Sequence, residues 1–149
     1  MKKSIIIILL AISLIMAHLP TPTKVHPILE ADVEQFIKDA ESYGIDTSVI
    51  RDSLDHITPF PLGNNVYGVY TPFTRQVSIN MRNCDNPIIL RAVMYHELGH
   101  VFGIGHSSGG IMETGLSPLE ITLRFGSTNN WLLYKSALFV EIKKLQDKK

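Results

Sequence analysis

The chain has 149 residues, 14 Lys+Arg against 14 Asp+Glu, 45% hydrophobic residues and one cysteine, Cys84. That length sets a single domain, and a formal charge of zero leaves no basic footprint for a phosphate backbone, which argues against nucleic acid as a partner. A lone cysteine gives no intramolecular disulfide, so the core must hold without staples and Cys84 reads as a small, partly buried structural residue.

Lys2 and Lys3 precede an apolar run from Ile5 to Ala17 broken only by Ser13. This pattern reads as a signal peptide over residues 1–17. Its 13 residues fall short of the roughly 18 expected of a spanning helix. The alternative is an uncleaved membrane anchor, because Ile15 departs from the small-x-small pattern before a cleavage site at Ala17. Cleavage leaves 132 residues with 12 basic and 14 acidic side chains. Such a chain is expected to be secreted or extracytoplasmic and monomeric, touching a membrane only if the segment is retained.

Residues 18–30 carry three prolines and no periodic pattern, and read as a leader or linker with little order before a domain over 31–149. From there Val33, Phe36, Ile37, Ala40 and Tyr43 follow helical spacing, with Asp32 to cap and Gly44 to stop a helix over 32–43. Asp46 to Phe60 is ambiguous: Asp46, Thr47 or Ser48 suits the cap of a short helical turn, while residues 53–58 alternate as a strand that meets Pro59 and Pro61. Two cleaner strands follow, Val66–Tyr70 and Arg75–Met81, joined by a turn at Thr71-Pro-Phe-Thr74. Asn86 as cap and Pro87 at the first helical position open a helix running to about Phe102. It is apolar nearly all round, so it must be buried and its polar residues need partners. Glycines at 103, 105, 109 and 110 interrupt regular structure, and a last helix near 129–145 closes the chain.

The buried helix carries His96-Glu97-Leu98-Gly99-His100, followed by Gly103 and His106. Two histidines four apart on a helix stand about 40° apart around the axis and one turn along it, so both imidazoles converge on one ion. Glu97 points beside that ion, where it can take a proton from a water held there. His106 cannot belong to the same helix, since six more residues carry it roughly 9 Å along and 240° around. Gly103 stands where the chain must double back with positive φ to return His106 to the metal. Three neutral imidazoles leave a fourth zinc position open for water, as in catalytic rather than structural sites. A bare HExxH arises by chance roughly once in 90 chains of this composition, and HExxHxxGxxH about 3 times in 100,000. The long motif is therefore the informative one.

This segment resembles the zinc-binding signature of the metzincin metallopeptidases. In that clan a tight turn bearing a methionine lies beneath the metal, and Gly110-Ile111-Met112-Glu113 follows His106 here, so Met112 matches the Met-turn residue. Ser107, directly after the third histidine, is similar to the matrixin branch. The resemblance implies an α+β fold in which a short twisted sheet and a buried active-site helix face an irregular lower subdomain ending in a C-terminal helix. It also implies that the strand near Val66–Thr71 is the sheet edge pairing with an extended peptide or protein substrate. The implied reaction is peptide-bond hydrolysis at one zinc ion held by His96, His100 and His106, with Glu97 as the catalytic residue activating water. Specificity would come from a pocket lined by Thr114 to Leu119. Three departures stand out. The sheet has room only to be short, no leader cysteine is present to quench the zinc, and Thr114 occupies the position of the astacin tyrosine.

Glu113 and Glu120 read as surface or capping residues rather than metal ligands, and His18, His26 and His56 match no ligand spacing. The rival reading from another class is a catalytically silent, zinc-stabilised binding module on the same scaffold. Glu97 discriminates against it, because zinc binding by three histidines needs no such carboxylate. A non-peptidase zinc hydrolase uses the same chemistry and stays open as a third reading.

Overall fold

The computed structural model describes residues 23–148. The segment read as a signal peptide lies outside them, as does His18. Among the described residues, no helix is long and apolar enough to cross a membrane.

Among the described residues the architecture is α+β: a four-stranded mixed sheet and five α-helices, with strand order β1-β2-β4-β3. Strand β1 (Lys24–Val25) pairs parallel with β2 (His56–Pro59), β2 pairs parallel with β4 (Gln76–Ile79), and β3 (Gly68–Thr71) runs antiparallel to β4 at the sheet edge. The helices are α1 (Glu30–Ser42), α2 (Ser48–Ser53), α3 (Pro87–Val101), α4 (Pro118–Phe125) and α5 (Thr128–Gln146).

The stretch expected to be a leader with little order is built into the fold from Thr23 onward. Thr23 Oγ1 donates to the Leu54 carbonyl at 2.9 Å, the backbone of Lys24 and His26 bonds to Asp55 and Ile57, and Leu29 is fully buried at the end of a 3-10 turn. Pro27 did not prevent this, because the strand is only two residues long and the proline opens the turn after it. The ambiguous stretch resolves into both alternatives in succession. Asp46 Oδ1 accepts from the Ser48 N–H at 2.9 Å at the start of α2, and a strand at 56–59 follows in place of one at 53–58.

The strand predicted at Val66–Tyr70 starts two residues later, since the Val66 carbonyl is taken by the side chains of Asn80 and Asn83 at 3.0 and 2.9 Å rather than by a ladder partner. Its neighbour is trimmed to 76–79 because Arg75 adopts φ +52° in the turn. Helix α4 was not expected at all, although its start is written in the sequence. The Ser117 hydroxyl accepts from the Glu120 N–H at 3.3 Å, and the Glu120 carboxylate accepts from the Ser117 N–H at 2.8 Å, a reciprocal capping box with Pro118 at the first helical position. Glu120 is thus the capping residue that its position suggested.

Helix α3 lies at the centre of the core, and Asn86 accepts from the Ile88 N–H at 2.8 Å to cap it. Tyr95 is fully buried, with ring centroids 4.9 Å from both Phe36 of α1 and Trp131 of α5. Its hydroxyl donates to Asp39 of α1 at 2.6 Å, and Lys135 of α5 reaches the same carboxylate oxygen at 2.9 Å. One partly buried carboxylate therefore joins three helices around the segment that carries the histidines. Cys84 is buried, as expected, with its Sγ 3.6 Å from the Tyr67 carbonyl, and burial pushes its thiol up to about 12.

Candidate metal centre

Helix α3 ends at Val101 and Gly103 takes φ +88°, the left-handed conformation that the reversal requires. The N–H groups of Gly103 and Ile104 then close onto the His100 and Gly99 carbonyls at 2.9 and 3.1 Å. This return brings His106 back to the helix it left. The Nε2 of His100 stands 3.1 Å from that of His96 and 3.0 Å from that of His106. Among the described residues, these three histidines are the one group of His, Cys, Asp or Glu clustered tightly enough to hold a metal ion.

The orientation of two rings is fixed from behind. His96 Nδ1 meets the Ile111 carbonyl at 2.8 Å, and His100 Nδ1 meets the Ile104 carbonyl at 2.8 Å. A carbonyl only accepts, so each Nδ1 carries the proton and each Nε2 presents a bare lone pair toward the others. Burial drives the His96 pKa down to about 4 and lowers that of His100 as well, so both rings are neutral around pH 7. Acceptor nitrogens held about 3 Å apart repel unless a cation stands between them. Two nitrogens on a tetrahedral zinc at the usual bond length are roughly 3.3 Å apart, which the observed spacing fits.

Glu97 is 5% exposed and leans against the edge strand. A Cβ on Gly68 would stand 2.8 Å from both Cγ and Oε1 of Glu97, so only glycine in β3 leaves room for this acid. Burial pushes the Glu97 carboxyl up to about 7, opposed by the Tyr70 backbone N–H that bonds to it. Met112 is buried under the same helix. A Cβ on Gly99 would come within 2.7 Å of its sulfur, which is why glycine sits between the two helical histidines.

Beside His96 and Glu97 lies a pocket of about 200 Å³. One wall is the segment leading into the edge strand, Asn65 to Gly68, another is Glu113 to Leu116, and Ile121 and Phe125 of α4 also contribute. Of the expected lining Thr114 to Leu119, the pocket takes Thr114, Gly115 and Leu116, while residues 117–119 lie outside it and Leu119 is 67% exposed. Glu113, expected at the surface or at a cap, instead lines the pocket and is ion-paired with Arg124. Arg124 is a residue that sequence reading missed, because helix α4 was missed. His26 and His56 stand apart from the metal centre, His26 accepting locally from the Ile28 N–H at 3.4 Å.

Comparison of the chain with protein-family models, with curated proteins and with solved structures finds no match.

Proposed function

We propose that this protein is a zinc-dependent endopeptidase of the metzincin type, of the matrixin-like branch, acting outside the cytoplasm on protein or peptide substrates. The observation that carries the reading is the convergence of three imidazole nitrogens, those of His96 and His100 held free of a proton, next to a buried carboxyl on the flank of an exposed sheet edge. His96, His100 and His106 are the residues that hold the ion. When bound there, zinc supplies Lewis-acid polarisation of the scissile carbonyl and acidifies water.

The chain's own groups do the rest. Among the described residues strand β3 has no strand on its outer side, so its backbone groups not taken by β4 or Glu97 can bond an extended peptide. Glu97, with a carboxyl ionising near pH 7, accepts a proton from the attacking water and returns it to the leaving amine. The Ile111 and Ile104 carbonyls keep the His96 and His100 rings in the tautomer that binds metal. Met112 supports the helix beneath them at Gly99.

The test compares zinc-loaded wild type from His18 onward with Glu97→Gln, assaying cleavage of an unfolded protein and metal content on the same samples. Both are expected to hold one zinc, with hydrolysis falling about 10²- to 10⁴-fold in the variant. Full zinc in both with no cleavage by wild type sinks the reading and favours a zinc-stabilised binding module.

A further inference from the structure

The pocket beside Glu97 is apolar over most of its surface, with Ala92, Val93, Ile111, Leu116, Ile121 and Phe125 among its lining. Apart from His96 and Glu97, which belong to the metal centre, one charged group stands in this lining. Glu113 lines the wall while only a quarter of its side chain is exposed, and Arg124, one residue before the pocket's Phe125, donates to its carboxylate. An acid in an apolar pocket would draw a cationic side chain into it. Here the guanidinium already occupies the carboxylate and the local charge sums to zero.

We propose that Arg124 is a specificity-determining residue: by neutralising Glu113 it reserves the pocket for a neutral side chain of the substrate and excludes lysine and arginine. This rests on the peptidase reading above and adds to it which substrates are turned away and by which group. Arg124 does not touch the histidines or Glu97, so its role is separable from the chemistry. The pair also fixes what each single change does. Without Arg124 the pocket holds a free carboxylate and selects basic side chains. Without the Glu113 carboxylate a free guanidinium is left beside the pocket wall and acidic side chains are admitted. Without both it is neutral again.

The experiment maps cleavage sites in a set of unfolded proteins for zinc-loaded wild type, Arg124→Met, Glu113→Gln and the double variant. Arg124→Met is expected to raise the preference for lysine over leucine at the selected position by about tenfold or more. The double variant should return to the wild-type preference, and Arg124→Lys, which keeps the charge, should never leave it. A second reading needs no turnover: n-butylammonium, a lysine side-chain mimic, should shift the amide resonances of Gly115 and Leu116 in metal-free Arg124→Met and not in wild type or the double variant. If wild type cuts but Arg124→Met keeps its preference and the amides do not move, the role assigned to Arg124 is wrong and the peptidase reading survives. If wild type cuts nothing while the amides of Arg124→Met respond, the peptidase reading falls and takes the substrate assignment with it.

Discussion

The carbonyls that orient His96 and His100 lie between His96 and Met112 in the chain, whereas the walls of the adjoining pocket are gathered from residues as distant as Asn65 and Phe125. The metal centre is a helix, a glycine reversal and a returning loop that bonds back to the helix it left. The pocket depends on an edge strand, a loop held by an ion pair and a separate helix packed against α3 and α5. A site of the first kind tolerates damage elsewhere in the fold, while one of the second kind changes character with each wall.

Breaking the local site should give the largest effect. His100→Ala removes the nitrogen that stands between the other two, so zinc content measured by atomic emission should fall from one per chain to near none. Peptide hydrolysis should then drop by about a thousandfold or more, while the far-ultraviolet circular dichroism is unchanged. A variant that keeps its zinc would show that the three nitrogens do not act together.

A smaller effect tests the boundary between the two regions, where Glu97 belongs to both. In the metal-free fold its carboxyl ionises near pH 7 rather than at its ordinary 4.5. Above 4.5 the unfolded chain releases a proton that the folded chain retains, so this group's stabilisation is complete below pH 4.5 and is lost as pH rises through 7. Glu97→Gln escapes that loss. In urea titrations of metal-free protein it should match wild type at pH 4 and exceed it by about 3 kcal/mol at pH 8. Equal stability at both pH values would mean that the carboxyl is not desolvated.

The smallest effect belongs to the distant wall. Ser117→Ala removes the capping hydroxyl of α4 and should cost about 1 kcal/mol, read as a lower urea midpoint. Zinc content should stay at one, and the preference at the pocket should broaden as Ile121 and Phe125 loosen. Loss of zinc in this variant would erase the distinction between a local and an assembled site.

The same division decides what could be read from the chain. The histidine spacing and the reversal at Gly103 were legible because helical pitch and positive φ are properties of adjacent residues. The sheet was legible as strands but not in its limits, since side chains of Asn80 and Asn83 capture the Val66 carbonyl, and no pattern within the strand announces this. The order in residues 23–29 was hidden because it comes from pairing with β2, which is remote in sequence. Helix α4 was a different matter: Ser117-Pro118-Leu119-Glu120 is a start signal that was present and passed over. Missing it concealed Arg124, and with it the ion pair that holds Glu113.

The buried thiol of Cys84 has a bearing on motion as well as on packing. It lies against the Tyr67 carbonyl, one residue before the glycine that makes room for Glu97, and no other cysteine exists in the chain to compete for a reagent. A sulfhydryl both covered and protonated reacts only in the moments when that cover lifts. The rate at which it is captured is therefore a clock for local opening beside the cleft, set into the native sequence without any label.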